Sequence, residues 1–509
     1  MRKNRSVWRI VLSGWIVAST FAWAEARTLL FVDDHHVLYR PGTKRVLRPL
    51  DRHPANPMLA KDKPWEGTLA YNSVYRDPAT GAYRMWYQAW SRGGCRLCYA
   101  ESKDGLAWVK PNLGLHTYQD HEDTNILLKI GYAAAVIVDP RDGDPSRRYK
   151  LAYWDSGEIE GARHSGTCVA FSPDGIHWTK HPHNPVMKGS YGGYHQPPFE
   201  GDAIIASGKQ GPPLSTSDVI DVIWDPKRDA FAIYAKTWLD GPDGTMHWKR
   251  AVVRTDSKDF LHWSKPRLIA APDEFDGTGG EHELARTSGG GGSGGMQLHS
   301  GPAFFYNDMY FATLQMMDAG NTGNMPLELA LSHDGYSFQR PFRKTMFLPA
   351  LDDKTKFDAS IIWSNATPVL LEDEFRIYYG AYGHPWNSND MYQSSGIGLA
   401  TMPRDRFAAI RPIEKIGQIT TKPIDLTKCR GMTINADARD GAIRVEIMNE
   451  DGYRVRGFSK DEAIPVGEDG LRQPVKWKER TLADLKPRRY KIRIHLENAA
   501  VYALTLIEN

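Results

Sequence analysis

The sequence predicts an all-β chain, made of a five-bladed β-propeller followed by a small β-sandwich. A hairpin motif of the type Ser-x-Asp-Gly recurs along the 509 residues, and short β-branched and aromatic segments precede its copies. Aromatic residues make up 11% of the chain, and 46 glycines supply turn positions. Short strands separated by turns at a regular spacing indicate a β-rich repeat architecture. The sequence shows no long helical pattern, which argues against a barrel of alternating strands and helices.

The chain begins with a segment that is typical of a secretory signal. A basic start is followed by an apolar stretch that ends in Ala22-Trp23-Ala24, so residues 1–24 are predicted to be the leader. A retained anchor helix is the alternative, although the apolar stretch is short for a membrane span. Removal of the leader's four basic residues takes the formal charge of +3 close to neutral. We expect a secreted or periplasmic protein that binds no nucleic acid, and no membrane after signal cleavage.

The hairpin motif predicts the number of blades. Four clear copies and one degraded copy are centred on Asp104, Asp174, Asp259, Asp334 and Asp405. An aspartate in such a turn can accept hydrogen bonds from its own backbone, and the tryptophan that follows can pack beneath the hairpin. These residues are therefore predicted to be structural. Five units of about 70 residues predict a five-bladed propeller over residues 25–412.

The last hundred residues have a different pattern of apolar and polar residues. Apolar and polar residues alternate with a period of two in residues 433–438, 442–448, 490–496 and 501–507. This alternation is typical of half-buried strands. It predicts a β-sandwich over residues 413–509.

The cysteines and histidines do not indicate a metal centre. Cys95 and Cys98 have the spacing of a metal or redox pair, but the chain has four cysteines in all and no second pair of this kind. We interpret them as small core residues or as one incidental disulfide. The histidines lack the helical spacing of a zinc site, so no metal ligands are predicted.

Together, the five units, the hairpins, the leader and the trailing sandwich resemble the five-bladed β-propeller glycosidases. These are glycoside hydrolase families 32 and 43 and the secreted bacterial proteins with a family 32 N-terminal-like domain. The sequence lacks the Trp-x-Asn-Asp-Pro-Asn-Gly motif of the invertases, which indicates a divergent branch. The resemblance implies hydrolysis of a poly- or oligosaccharide by carboxylates in a funnel at one end of the ring axis. It implies a carbohydrate substrate and no cofactor, with a structural calcium ion in the pore as a variant, and leaves the oligomeric state open.

Acidic residues near the start of each blade are the candidate catalytic groups. Glu66 is the candidate base or nucleophile, Asp218 the orienting carboxylate that raises the pKa of the acid, and Glu283 the general acid. Glu281 competes with Glu283, and for each of these acids the alternative is a solvated or structural role. Asp221 is expected to face away from Asp218, because three residues along a strand reverse the face.

Substrate binding is predicted for residues that can accept sugar hydroxyls or stack on sugar rings. These are Asp358, Glu281, His299 and Trp386. Of these, Asp358 is either catalytic or a hydroxyl acceptor, and His299 is the residue that the resemblance places near the pore. Further rings on strand ends or loops are Trp86, Trp90, Trp154 and His384. The alternative for each ring is a place in the core or on the surface.

Other functions compete with hydrolysis. A sialidase is disfavoured, because it needs six blades and an arginine cluster. A non-catalytic carbohydrate-binding propeller stays open. A polysaccharide lyase with a tyrosine or histidine base also stays open, with Tyr191, Tyr194 and His195 as candidates. Convergence of Glu66, Asp218 and Glu283 on one pocket is the observation that favours a glycosidase.

Overall fold

The computed structural model describes residues 26–159, 161–189, 214–242, 247–276, 295–343 and 345–508. The predicted leader therefore lies outside the described residues. In the described part, strands dominate, and the short 3-10 helices are Pro145–Arg147 and Leu482–Asp484. The all-β prediction is confirmed. Within the same ranges, no helix is both long and apolar enough to cross a membrane.

Five antiparallel sheets follow one another along the chain. The first consists of β6 (Thr68–Arg76), β7 (Tyr83–Ser91), β8 (Gly94–Ser102), β9 (Trp108–Val109) and β10 (Ile126–Ile130). The second consists of β11 (Tyr132–Val138), β12 (Tyr149–Ile159), β13 (Ala162–Ser172), β14 (Thr179–Lys180) and β15 (Met187–Lys188). The third consists of β16 (Ile220–Asp225), β17 (Ala230–Leu239), β18 (Lys249–Ser257) and β19 (Arg267–Ala270).

The fourth and fifth sheets complete the series. The fourth consists of β20 (Met296–Ser300), β21 (Ala303–Tyr306), β22 (Met309–Asp318) and β23 (Leu327–Ser332). The fifth consists of β24 (Ile361–Trp363), β25 (Val369–Leu370), β26 (Glu374–Tyr382) and β27 (Ser395–Pro403). Its outer edge is formed by two strands from earlier in the chain, β4 (Asp51–Arg52) and β5 (Leu59–Ala60), which pair with β27.

Hydrogen bonds join each sheet to the next. They are Val136 N to Ser73 Oγ (2.9 Å), Thr167 Oγ1 with Thr216 Oγ1 (3.2 Å), Tyr310 Oη to Asp225 Oδ1 (2.7 Å), Gln315 Nε2 to Ile362 O (2.6 Å) and Asn365 Nδ2 to Asn72 Oδ1 (2.7 Å). The last of these bonds links the fifth sheet to the first, so the five sheets close into a ring. We interpret this ring as the predicted propeller.

The repeated hairpins form hydrogen bonds with neighbouring sheets. In the first copy, Asp104 Oδ1 accepts the backbone N–H groups of Leu106 and Ala107 at 2.8 and 2.9 Å. The carbonyl of Gly105 in the same turn accepts the hydroxyl of Tyr378 from the fifth sheet at 2.7 Å. The carbonyl of Gly175 in the second copy accepts Trp86 Nε1 from the first sheet at the same distance. These bonds agree with the predicted structural role of the motif.

The glycine of the motif is needed for its backbone conformation. Gly105, Gly175 and Gly335 have φ angles of 75°, 82° and 75°. In the third copy Phe260 occupies this position with φ 68°, a conformation that costs a non-glycine residue about 1–2 kcal/mol. Phe260 is fully buried, and its ring lies 5.0 Å from that of Phe231. Burial of the ring offsets the backbone cost at this position.

Two further sheets form a separate layered unit. One consists of β1 (Ala26–Leu30), β3 (Thr43–Leu47), β28 (Ala408–Pro412), β31 (Cys429–Asp437), β33 (Asp469–Pro474) and β35 (Ala500–Glu508). The other consists of β2 (Val37–Tyr39), β29 (Ile416–Thr421), β30 (Ile424–Asp425), β32 (Ala442–Asn449) and β34 (Arg489–Glu497). Apolar residues of both sheets share one buried cluster that includes Ile434, Ile447 and Ile494.

Strand pairing crosses the predicted division at residues 412 and 413. The strands β1, β2 and β3 precede the ring in the chain but pair with strands of the C-terminal unit. Pairing of this kind covers sheet edges that would otherwise expose unpaired backbone groups. The four cysteines are all free and buried, which supports their interpretation as core residues.

Candidate functional site

The inner strands of four sheets are interrupted near the middle of the ring. In the first sheet the register shifts at Tyr71, which has φ 33°, and in the second it shifts between Tyr132 and Ala135. In the fourth sheet the shift falls at His299, between Leu298 and Ser300. Bulges of this kind occur beside active sites, because they redirect a side chain out of the regular alternation.

The third sheet has an equivalent irregularity at Asp218. The backbone N–H of Ser217 donates to the carbonyl of Lys236 at 2.8 Å, and the N–H of Lys236 donates to the carbonyl of Val219 at 2.9 Å. The backbones of Ser217 and Val219 therefore both pair with Lys236, and Asp218 lies between them without a backbone partner of its own in this pairing. The strand β16 begins directly afterwards at Ile220.

A small cavity marks the place where these strands meet. Its lining includes Tyr71 from the first sheet, Val219 beside the third, Gly301 from the fourth and Ser364 from the fifth. The interruptions thus bring side chains from different sheets toward the same part of the ring. This arrangement is suited to a site whose groups must be held at fixed spacing.

Asp218 and Lys236 form a buried ion pair in this region. The ammonium of Lys236 donates to Asp218 Oδ1, and the hydroxyl of Ser217 donates to the same oxygen at 3.0 Å. Burial alone raises the pKa of Asp218, but the charge and hydrogen bond of Lys236 outweigh it and hold the pKa below its ordinary value. Asp218 is therefore ionised at neutral pH.

His299 lies in the same electrostatic environment and is neutral. Burial, and then the positive charges of Lys236 and Arg250, lower the pKa of His299 well below its ordinary value. Gln315 donates its amide N–H to the carbonyl of Ile362 at 2.6 Å, so its Oε1 faces His299 Nδ1 at 2.7 Å. Since Oε1 can only accept, Nδ1 carries the proton and Nε2 of His299 keeps a lone pair.

Aromatic rings border the cluster on two sides. The ring of Tyr71 lies 5.2 Å from that of Tyr132 and 5.7 Å from that of Trp363. Trp363 in turn contacts Tyr382 at 4.4 Å. The negative charge of Asp218 is among the influences that raise the pKa of Tyr71, after burial, which is the largest. Tyr71 is therefore a neutral phenol close to the carboxylate.

Arginine and tryptophan meet on the other side. The guanidinium of Arg250 lies 4.5 Å from the ring centroid of Trp238 and 5.8 Å from that of Trp386. Arg250 also donates to Gln297 Oε1 at 2.7 Å. Trp386 is 37% exposed. The structure thus brings three predicted residues, Asp218, His299 and Trp386, into one region through Lys236 and Arg250.

Glu66 lies outside this cluster. Its Oε1 accepts the hydroxyl of Tyr87 at 2.6 Å, and its Oε2 accepts Lys110 Nζ at 2.6 Å. Oε2 also accepts the backbone N–H groups of Asp62 and Lys63 at 3.0 and 3.2 Å. Every partner belongs to the first sheet or to the segments beside it. This bonding favours a structural role over the predicted role as base or nucleophile, because no oxygen is left to meet a substrate.

Asp358 is likewise engaged elsewhere. Its Oδ2 accepts Arg52 Nε at 2.7 Å and the hydroxyl of Tyr379 at 2.6 Å, and the side chain is buried. Arg52 lies on β4, which closes the outer edge of the fifth sheet. Asp358 therefore joins this early strand to the ring, which differs from the predicted contact with substrate. Glu281 and Glu283 lie outside the described residues, and their roles stay predictions.

The prediction that Asp221 faces away from Asp218 assumes an unbroken strand, and this strand is interrupted at Asp218. Asp221 lines the small cavity together with Lys236, the partner of Asp218. Burial raises the pKa of Asp221 to about 8, although it accepts the N–H groups of Val222 and Ala366. Asp221 is therefore largely protonated at neutral pH, whereas Asp218 is ionised.

Lys236 and Gln315 are functional candidates that sequence analysis missed. Both interrupt strongly apolar strands, in Phe231-Ala-Ile-Tyr-Ala-Lys236 and Met309-Tyr-Phe-Ala-Thr-Leu-Gln315. A lone charged or amide residue in a fully buried strand is the signal that predicts a polar partner. The sequence does not reveal which partner it has, because that partner belongs to another strand or another sheet.

The residues around His299 do not fit a calcium ion. Calcium takes six to eight oxygen ligands, largely from carboxylates and carbonyls. The positive charges of Lys236 and Arg250 act on His299 and disfavour a cation there. Among the described residues, no group of three or more histidine, cysteine, aspartate or glutamate side chains is arranged to hold a metal ion.

Comparison with known proteins gives structural similarity at low identity. No family model and no curated protein matches the chain. It is similar to an N-acetylgalactosamine deacetylase from F. plautii, at 14% identity and TM-score 0.43, covering 71% of this chain and 95% of that one. It is also similar to a Bombyx mori family 32 β-fructofuranosidase, at 10% identity and TM-score 0.41, covering 90% and 95%. A third similar structure is described as a glycoside hydrolase, at 12% identity and TM-score 0.44, covering 72% and 92%.

Proposed function

We propose that the ring carries a glycoside hydrolase site centred on Asp218, which cleaves glycosidic bonds of a poly- or oligosaccharide. The observation that carries the proposal is the buried cluster of ionised Asp218, Lys236 and neutral His299 at the interruption of the inner strands. The burial of an ion pair costs several kcal/mol per ion before its Coulombic gain. Buried ion pairs are therefore found where the charge serves a function or where hydrogen bonds satisfy all of its polar atoms.

The charge state of Asp218 defines the chemistry that it can perform. Hydrolysis of a glycoside needs one protonated carboxyl to donate to the leaving oxygen and one carboxylate as nucleophile or water activator. Asp218 is held ionised by Lys236, so it suits the second role, or that of a charge that raises the pKa of the acid. The proton donor of the proposal is Glu283, as predicted from the sequence.

The groups around Asp218 match the surface of a sugar. The apolar faces of sugar rings pack on aromatic side chains, and their hydroxyls bond to charged and amide groups. Trp386 provides a partly exposed ring, whereas the rings of Tyr71 and Trp363 beside the cluster are buried. The neutral His299 and the guanidinium of Arg250 are oriented polar groups between them.

We also propose that the protein works outside the cytoplasm. The predicted leader supports this, as does the neutral charge that its removal leaves. A protein outside the cytoplasm is exposed to glycans from its surroundings, so external glycans are the substrates to test.

The first test is a screen of the leaderless protein against plant, algal and host glycans, with reducing ends as the readout. We expect Asp218→Asn to lower kcat by about 10²–10⁴-fold on the glycan that is cleaved. Glu66→Gln is the matched control, since it removes a buried carboxylate with a lysine partner away from the cluster. It should keep kcat per folded molecule. Full activity of Asp218→Asn would overturn the assignment.

A polysaccharide lyase is the second candidate, and one observation favours it. The neutral His299 with a lone pair on Nε2 could take the proton from a uronate, with the charge of Lys236 close by. The same screen separates the two reactions. A lyase product absorbs in the ultraviolet because it is unsaturated, whereas a hydrolase product does not. Unsaturated products would replace the hydrolase proposal with elimination.

A further inference from the structure

Two aromatic side chains, one from the first sheet and one from the fifth, stand half exposed beside each other. Trp90 is 41% exposed and Tyr392 is 49% exposed, and their ring centroids lie 5.4 Å apart with a tilt of 30°. Trp90 lies at the end of β7, opposite Thr68 in the first sheet. Tyr392 belongs to the loop between β26 and β27 of the fifth sheet. We call this pair the rim platform.

The rim platform is continuous with the candidate site. The ring centroids of Tyr392 and Tyr382 lie 5.8 Å apart, and those of Tyr382 and Trp363 lie 4.4 Å apart. The ring centroids of Trp363 and Tyr71 lie 5.7 Å apart, and Tyr71 is close enough to Asp218 for the carboxylate charge to raise its pKa. A series of aromatic rings therefore links Tyr71, beside Asp218, to Trp90 and Tyr392. The buried members pack as core, whereas the two outermost members face solvent.

The platform is held in place before any ligand binds. The ammonium of Lys61 donates to the carbonyls of Gly67, Tyr392 and Gln393 at 3.2, 3.4 and 2.6 Å. The hydroxyl of Tyr382 donates to Thr68 Oγ1 at 3.0 Å, which ties the same loop's strand to the first sheet. A rigid pair of rings loses little conformational entropy when a ligand stacks on it. Two adjacent aromatic rings that stay half exposed on a fixed loop indicate a binding surface.

We propose that the rim platform is an outer sugar-binding subsite, which stacks a sugar of the same glycan chain whose scissile bond lies at Asp218. The inference deepens the proposed function and rests on it for the position of the scissile bond. It assigns the substrate class as a chain that reaches from the centre of the ring to its rim, rather than a mono- or disaccharide. Stacking contributes to the binding of long substrates alone, because a short substrate at Asp218 does not extend to the rim.

The test compares chain lengths. Trp90→Ala and Tyr392→Ala are assayed on the polymer that the screen identifies and on the aryl glycoside of its terminal sugar. We expect each change to raise KM for the polymer about two- to ten-fold, with kcat/KM on the aryl glycoside unchanged within two-fold. Trp90→Phe should keep most of the polymer affinity. Tyr453→Ala is the matched control, because Tyr453 is 74% exposed on the C-terminal unit.

A binding measurement that needs no catalysis separates this inference from the proposed function. Retardation of the full chain in native gels that contain soluble arabinan, xylan, galactomannan or laminarin is compared with that of both alanine variants. Retardation that both variants lose supports the platform, even if no glycan is cleaved. Equal effects on polymer and aryl glycoside, unchanged polymer binding in both variants, or no retardation by any polymer would overturn it.

Discussion

Two buried carboxylates in the ring each bind a lysine, and their surroundings differ. Glu66 accepts four hydrogen bonds, which occupy both of its oxygens, and its side chain is fully buried. In the bonds found among the described residues, Asp218 accepts from Lys236 and Ser217 through Oδ1 alone. The comparison teaches that a buried ion pair is not by itself a sign of function. For these two acids, the difference is that Glu66 has both oxygens engaged and Asp218 has one.

The position in the sheet explains this difference. Glu66 lies before β6, ahead of the interruption at Tyr71, and backbone groups of its own segment, at Asp62 and Lys63, complete its bonding. Asp218 lies at the interruption of its strand, where it bonds to Lys236 and Ser217 of its own sheet and is influenced by His299 of the fourth. A bulge thus converts a buried acid from a fold-stabilising group into one that other groups can approach.

The largest expected effect sharpens the comparison at Glu66. Glu66→Gln removes the buried one of the two carboxylates that pair with Lys110 and should lower the free energy of unfolding by about 3 kcal/mol. Urea denaturation followed by tryptophan fluorescence measures the change. Activity per folded molecule should stay the same, because the carboxylate contacts no group of the candidate site. A loss of kcat in fully folded protein would return Glu66 to the catalytic role predicted from the sequence.

The next effect concerns the lysine of the other pair. Lys236→Met removes the charge that holds the pKa of Asp218 down, so burial raises that pKa. If the ionised form is the active one, the acidic limb of the pH profile of kcat/KM should move to higher pH by about one unit or more. At a pH on that limb, activity falls about ten-fold or more. Lys236→Arg should keep the limb near its original position, and an unmoved limb in Lys236→Met would show that ionised Asp218 is not required.

The smallest expected change in stability concerns Asp62, the second acid that pairs with Lys110. Asp62 Oδ1 lies 2.6 Å from Lys110 Nζ, as close as Glu66 Oε2, but 62% of the Asp62 side chain is exposed. Exposed ion pairs contribute about 0–1 kcal/mol. Asp62→Asn should therefore shift the unfolding midpoint far less than Glu66→Gln in the same urea series. Equal shifts would mean that burial does not govern the energetics of this pair.

Local signals made much of the fold predictable. The hairpin around Asp104 is defined by residues within a few positions, and its hydrogen bonds close within the turn. The alternation in residues 442–448 likewise predicts the strand β32 from its own residues. The pairing of β1 with β35 could not be predicted in this way, because the partners lie at opposite ends of the chain.

The candidate site was predictable only in part. Asp218 was identified from its place at the start of an inner strand and His299 from the resemblance, and the structure brings them together around Lys236. Glu66 has the same sequence signal as Asp218, an acid shortly before a strand, yet its hydrogen bonds engage both of its oxygens. The missing information is the set of partners, which neither composition nor spacing contains.

The sequence by itself determined the all-β class, the repeated hairpins and the places of acidic residues along the strands. These features depend on side-chain alternation and turn chemistry, which act over a few residues. Only the tertiary structure decided that Lys236 holds Asp218 ionised, that Glu66 is fully bonded, and that Trp90 meets Tyr392. Contacts between residues that are distant in the chain set those properties, because burial and charge depend on such neighbours.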